Sequence, residues 1–235
     1  MKTRRMGRRE AMGALGAAGA AFAFGCGGDS PTGASTGTTG GTTGGATAST
    51  NGTCAVTPTE TVGPYPSLTD MFRMDIREGK QGAVLTLTVK VVNASSACAA
   101  VPGANVEIWH VDAAGDYSQY GTQRSATFLR GIQTTNANGE VVFTTIYPGW
   151  YQGRATHIHL EVSLNGQSRK VTQIAFPESV NDEVHRSGVY ASRGTNPIAN
   201  ASDGIFADSL ASEIVTPTGS AAAGYAATFQ VGIAA

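Results

Sequence analysis

The sequence predicts an all-β domain, an antiparallel β-sandwich with short helical turns and long loops. Apolar and polar residues alternate over several short segments, and this period of two is typical of half-buried strands. Gly, Asn, Asp and Pro residues lie between these segments, as expected for turns. Long helical periodicity is missing. Together these features favour two packed sheets.

The strands follow one another at short intervals along the chain. Residues 94–103 are interpreted as a turn-rich connection, and helical turns are predicted around 181–186 and 206–214. The predicted strands are, in order, 84–92, 104–111, 140–146, 156–164, 171–176 and 227–233.

Residues 1–25 are predicted to be an export signal rather than part of the fold. Basic residues, including the pair Arg8-Arg9, precede an Ala/Gly-rich apolar run at 11–25. That run is shorter than the roughly 20 residues needed to cross a bilayer and fits a secretory signal. The arginine pair resembles a twin-arginine leader. We therefore expect an exported protein, periplasmic or at the cell surface.

Residues 26–52 are predicted to be a flexible linker, because they are almost entirely Gly, Thr, Ser and Ala. Cys26 follows the apolar run directly, and Gly25-Cys26 resembles a bacterial lipoprotein cleavage site. Lipidation of Cys26 would anchor the protein to a membrane. The alternative is ordinary signal cleavage nearby, with Cys26 removed or left as a free thiol.

The remaining residues, 53–235, are long enough for one ordinary domain. From Cys26 onward the chain has 11 Lys and Arg against 16 Asp and Glu, which argues against a nucleic-acid partner. With Cys26 lipidated, Cys54 and Cys98 remain as a pair, and we expect them to form a disulfide in an exported protein. The sequence leaves the oligomeric state open.

The segment with the most side chains suited to metal binding or catalysis ends in His157-Ile-His159. Residues two apart in a strand share a face, so both imidazoles point the same way, a spacing suited to a metal. Arg154 precedes them, and the turn at Pro148-Gly149 would let Tyr151 fold back over the imidazoles. The plainer alternative is a polar strand surface. A zinc hydrolase is disfavoured because no carboxylate or cysteine has a matching spacing.

Four ordered segments resemble the intradiol ring-cleavage dioxygenases. They are 102–118 (PGANVEIWHVDAAGDYS), 128–139 (FLRGIQTTNANG), 145–151 (TIYPGWY) and 154–159 (RATHIH). The resemblance implies a β-sandwich that binds non-haem Fe(III) through Tyr117, Tyr151, His157 and His159, with Tyr147 as the alternative second tyrosine. Two phenolates at neutral pH independently require a strong Lewis acid, since a free phenol has a pKa near 10.

The resemblance also implies the reaction. A small aromatic diol of the catechol type would react with O2, and the bond between its hydroxyl-bearing carbons would open to give a muconate-type product. Tyr151 would leave the metal and accept a substrate proton, Arg154 would stabilise negative charge on the ring, and Gln173 would assist. The competing interpretation is an exported iron- or ligand-binding β-sandwich without ring-cleavage activity.

Other notable residues are not assigned a chemical role. His110 and His185 match no ligand position and are predicted to be structural. Trp109 and Trp150 are predicted to be packing residues. Tyr65 is a candidate for substrate contact. Only Gln152 and Gly153 separate Tyr151 from Arg154, where many family members have a longer insertion, so the preferred catechol cannot be inferred.

Overall fold

The computed structural model describes residues 54–235. The predicted export signal, the linker and Cys26 lie outside the described residues. Within them the chain forms strands β1 (Val84–Asn93), β2 (Ala99–Ala100), β3 (Asn105–Trp109), β4 (Arg130–Thr134), β5 (Glu140–Ile146), β6 (His157–Leu164), β7 (Gln167–Ala175), β8 (Thr218–Ser220) and β9 (Gly224–Ile233). It also forms helices α1 (Glu178–His185) and α2 (Leu210–Glu213), with 3₁₀ turns at Gly121–Gln123, Gly188–Tyr190 and Asn200–Ser202.

The strands form two sheets, which confirms the predicted all-β sandwich. One sheet has the order β2-β1-β9-β8, with β5 also paired to β1, and the other has the order β4-β3-β6-β7. The strands pair antiparallel, as predicted, except that β1 and β9 run parallel. Parallel neighbours need a long connection, and here nearly the whole domain separates the first and last long strands.

The core lies between the two sheets. Alternate side chains of β1 and β6 point into it, as their sequence patterns predict. Burying one Leu, Ile or Val side chain completely stabilises the fold by roughly 1.5–3 kcal/mol relative to leaving it exposed. The fully buried core residues of β1 and β6 are Leu85, Leu87, Val89, Val91, Ile158, Leu160 and Val162.

Some element bounds differ from the predictions. The strand β4 was not predicted, because its sequence RGIQT is largely polar and does not alternate. The connection at 94–103 contains the short strand β2, and β8 was also missed. Both helical turns form, but α1 begins at Glu178 and α2 is confined to Leu210–Glu213.

The N-terminal part of the described chain is tied to the domain at several points. Cys54 and Cys98 form the predicted disulfide. Lys170 on β7 is buried and donates to the Thr57 carbonyl and to Thr59 Oγ1. These ties lead the chain across β7 towards the histidine-bearing strand β6. No helix in the described part of the chain is both long and apolar enough to cross a membrane.

Candidate metal centre

One row of opposed residues across the four-stranded sheet organises the site. His159 on β6 lies opposite Trp109 on β3 and opposite Gln173 on β7. Trp109 in turn lies opposite Arg130 on β4. Directly opposed residues share a face, so all four side chains project away from the core. Trp109 stacks on His159, with ring centroids 4.9 Å apart and an interplanar angle of 1°.

The two predicted histidine ligands converge. The Nε2 atoms of His157 and His159 lie 3.1 Å apart, close to the roughly 3 Å separation of two nitrogens bound at right angles to one metal at about 2.1 Å. His157 Nδ1 lies 2.6 Å from the Ala155 carbonyl; donation to it leaves Nε2 free as an acceptor. Burial, reinforced by the Arg154 charge, lowers the pKa of His157 to about 3. Burial and the neighbouring His157 lower that of His159 well below its usual value, so both imidazoles are neutral.

The imidazole face is covered, contrary to a polar strand surface. Gly63 lies directly over His159 with a φ of +72°, and a Cβ there would approach His159 Cε1 to 2.9 Å. That backbone conformation and close approach both require glycine. The loop that contains Gly63, here called the covering loop, leaves His157 only 3% exposed and His159 0% exposed.

Tyr117 reaches the site from the turn that follows β3. Asp112 Oδ1 accepts the backbone N–H groups of Ala114 and Asp116, which fixes the turn. The Tyr117 ring is buried, with its centroid 6.3 Å from that of His159. Its hydroxyl has no hydrogen-bond partner among residues 54–235, and burial raises its pKa well above the usual value. A buried hydroxyl without a partner is the kind of group that a metal ion would satisfy.

Tyr151 reaches the same place from the turn after β5, and its ring lies 5.5 Å from His157 and 5.6 Å from Tyr117, centroid to centroid. It is only half-buried. Burial raises its pKa, while the charge and hydrogen bond of Arg154 oppose the rise. Tyr147, the alternative second tyrosine, donates to Asn181 Oδ1 in the core, so Tyr151 is the tyrosine beside the histidines.

Arg154 and Gln173 form one polar wall of the site. Arg154 Nη2 donates to Gln173 Oε1 at 2.7 Å, and Gln173 Nε2 donates to the Thr61 carbonyl at 3.0 Å. Arg154 Nε also pairs with Asp203 Oδ2 at 2.8 Å. Gln173 is fully buried, so its amide is held within the site and does not face solvent.

Sequence reasoning missed Asp203, Arg130 and the role of Gly63. Asp203 orients Arg154 from a loop far along the chain, and no local pattern marks it. Arg130 lies in one of the segments that carry the family resemblance, and its place in that segment was the only signal that the sequence offered for it. Gly63 lies in a Gly-Pro segment that indicates a turn but not what the turn covers.

The residues present fit a metal with two nitrogen and two phenolate ligands. Among residues 54–235, no three His, Cys, Asp or Glu side chains group closely enough to hold a metal. Tyr117 and Tyr151 are the side chains beside His157 and His159 that could supply two further ligands. The other two histidines have protein partners, His110 bonding to Thr145 and His185 to the Pro148 carbonyl.

Fold and site together define a β-sandwich with a candidate tyrosine–histidine metal centre. A family model described as dioxygenase matches residues 63–197, more than half of the chain. The chain belongs to the intradiol ring-cleavage dioxygenase family.

Individual relatives agree with this assignment. An intradiol ring-cleavage dioxygenase structure from Tetranychus urticae is 30% identical, with a TM-score of 0.69, covering 77% of this chain and 94% of that one. The dioxygenase domain of a carbohydrate-binding fusion protein from Streptomyces sp. SirexAA-E is 26% identical, with a TM-score of 0.58, covering 76% and 97%. A catechol 1,2-dioxygenase from Acinetobacter baylyi is 30% identical over 50% of this chain and 45% of its own length. The chain thus spans about half the length of the curated relatives it matches.

Proposed function

We propose that this protein is a non-haem Fe(III) intradiol dioxygenase that opens the ring of a catechol-like aromatic with O2. The observation that carries the proposal is the convergence of two imidazole Nε2 atoms, 3.1 Å apart, with the unpartnered Tyr117 hydroxyl and with Tyr151. The four side chains would hold the iron. Anionic oxygen donors beside neutral imidazoles suit a hard trivalent ion.

Ferric iron, when bound, supplies the Lewis acidity that keeps phenols and a chelating catechol deprotonated and activates the catechol ring towards O2. In the balanced reaction, the bond between the two hydroxyl-bearing carbons breaks. Each of these carbons gains one atom of O2 and ends as a carboxyl group of the muconate-type product.

Tyr151 is the residue suited to moving a proton. Its half-exposed ring could turn away when a diol approaches, and its Oη, a phenolate while it binds the metal, would then accept a proton from a substrate hydroxyl. A general base must lie within hydrogen-bond reach of the proton that it takes. Tyr151 would meet this condition if the diol binds at the metal beside it.

Arg154 supplies a fixed positive charge beside the reacting ring. Its Nε and Nη2 groups are held by Asp203 and Gln173, so little reorganisation is needed when negative charge develops on the substrate. Preoriented charges of this kind stabilise a transition state more than mobile ones. Gln173 contributes by holding the guanidinium and by its own contact with the covering loop.

The setting that we propose is outside the cytoplasm, in the periplasm or at the cell surface, with Cys26 as a lipid anchor. The Cys54–Cys98 disulfide supports it, since disulfides persist in oxidising compartments. The partners would be a small aromatic diol and O2. The excess of acidic residues after Cys26 disfavours nucleic acid.

The test is a visible and EPR spectrum of the purified full chain, with metal analysis, before and after anaerobic addition of catechols. The proposal predicts a tyrosinate-to-iron charge-transfer band and a high-spin ferric signal, both altered by catechol. An iron-loaded protein without such a band would contradict it. A band that catechol shifts, followed by no product in air, would favour the iron- or ligand-binding alternative.

A further inference from the structure

The Arg130 guanidinium, at the start of β4, is fully buried. It donates from Nε to Ser118 Oγ at 2.9 Å, from Nη2 to the Ser118 carbonyl at 2.8 Å, and from Nη1 to the Tyr65 carbonyl at 2.9 Å. All of these acceptors are uncharged. Glu107 on β3 is also buried and exerts a favourable electrostatic effect on Arg130. A buried cation needs negative charge around it, because its desolvation is strongly unfavourable.

Two phenols lie near enough for a negative charge on either to interact with Arg130. The guanidinium carbon is 5.6 Å from the Tyr117 ring centroid and 5.5 Å from that of Tyr120. The Tyr120 hydroxyl donates to the Pro66 carbonyl and therefore keeps its proton. The Tyr117 hydroxyl has no partner, so Tyr117 is the phenol free to become an anion when it binds a metal.

The hydrogen bonds of Arg130 also hold the segments on both sides of that ring. Ser118 follows Tyr117 in the chain. The Tyr65 ring packs on Tyr117 with centroids 4.7 Å apart. One planar guanidinium thus joins the covering loop to the turn that presents Tyr117. Lysine could supply the charge but not this fork of donors.

We propose that Arg130 is a positioning residue whose buried charge stabilises the Tyr117 phenolate and whose donor fork fixes the ring towards the metal. The inference rests on the proposed function, because it requires that Tyr117 bind the metal as a phenolate. Arg130 acts through Tyr117 and needs no contact with the substrate.

The test compares Arg130→Gln, which loses the charge but keeps an N–H donor, with Arg130→Lys, which keeps the charge but loses the fork. Both are made in the full chain, in wild-type and Tyr151→Phe backgrounds, so that in the second background Tyr117 is the only tyrosinate. Ferric affinity is measured by chelator competition, and the charge-transfer band by visible spectroscopy.

Arg130→Gln should lower ferric affinity by roughly 10- to 100-fold, as for other residues that support metal ligands. Removing a positive charge raises the energy of the phenolate electrons, so the band should move to longer wavelength by roughly 10–20 nm, the size expected for one nearby charge. Arg130→Lys should keep the band near its wild-type position. The shift should persist in the Tyr151→Phe background.

Ser118→Ala is the matched control, because it removes one acceptor of Arg130 and leaves the charge in place. It should not move the band. An equal shift in Ser118→Ala, or in Arg130→Lys, would overturn the charge assignment, as would an unshifted band in Arg130→Gln. If Arg130→Gln does not fold, a folded Arg130→Lys variant with a displaced band overturns the inference, and one with a wild-type band supports it.

The failure of the proposed function gives a different result. A wild-type protein that binds iron without any tyrosinate band would contradict both the dioxygenase proposal and the role of Arg130. A tyrosinate band in the wild-type protein that stays at the same wavelength in Arg130→Gln would contradict the role of Arg130 alone.

Discussion

Each of the two tyrosines at the site has an arginine beside it, but the two pairs differ. Tyr117 is 5% exposed, and its neighbour Arg130 is fully buried with uncharged acceptors. Tyr151 is half-buried, and the Arg154 side chain is 15% exposed and paired with the buried Asp203 carboxylate. One pair is enclosed and its arginine bonds only to uncharged groups, whereas the other is partly exposed and its arginine is paired with a carboxylate.

The difference indicates a division of labour. An enclosed phenol beside a buried cation is suited to remain a permanent anionic ligand. A partly exposed phenol, beside an arginine that a carboxylate orients, is suited to dissociate from the metal and bind it again. Tyr117 and Arg130 would hold the metal, whereas Tyr151 and Arg154 would act on the substrate.

The largest expected difference is between the two tyrosine-to-phenylalanine variants. Tyr117→Phe should lose most of the bound iron and the visible colour, because it removes the enclosed ligand. Tyr151→Phe should keep more iron and part of the colour. Metal analysis and visible spectra of equally purified proteins measure both, and full retention of iron and colour in Tyr117→Phe would break the comparison.

On the open side, Arg154→Ala should keep iron but slow ring cleavage by roughly 10²- to 10³-fold, the usual effect of removing a charge-stabilising donor. Asp203→Asn should have a smaller effect of roughly tenfold, because it disturbs only the orientation of Arg154. Steady-state oxygen uptake at saturating catechol measures both. Unchanged turnover in Arg154→Ala would remove its proposed role.

Gly63→Ala tests whether the covering loop holds His159 in place. Its matched control is Gly79→Ala, because both glycines have positive φ, but only at Gly63 would a Cβ meet an imidazole. Backbone strain affects both variants, and overpacking should destabilise Gly63→Ala by about 1–3 kcal/mol more. It should also weaken iron binding. Denaturant unfolding and iron titration report the two effects, and equal behaviour would exclude the close contact.

A separate effect, confined to acidic pH, concerns His110, which follows Trp109 in the chain and precedes the turn that presents Tyr117. Burial lowers its pKa from 6.5 to about 4, so the unfolded chain takes up its proton first as the pH falls. This residue should therefore reduce stability by up to about 3 kcal/mol between pH 6.5 and 4. His110→Gln should flatten that part of the pH–stability curve of the apoprotein. An unchanged slope would contradict the buried neutral state.

The sequence was sufficient where local pattern decides structure. Alternation located β1, β5 and β6, and the His-x-His spacing identified two side chains that the structure brings together. Strand register lies beyond local pattern, so the pairing of His159 with Gln173 and Trp109 could not be predicted. The same limit hid Asp203, which meets Arg154 from 49 residues away, and Arg130, whose polar strand carries no alternating pattern.

The central claim is ring opening by dioxygen at this site, and isotope labelling tests it most directly. Iron-loaded full-length protein is given a catechol under ¹⁸O2, and the product is analysed by mass spectrometry. An intradiol dioxygenase should give a ring-opened dicarboxylate with one labelled oxygen atom in each carboxyl group. Catechol that binds, shifts the visible band and is recovered intact without oxygen uptake would contradict it.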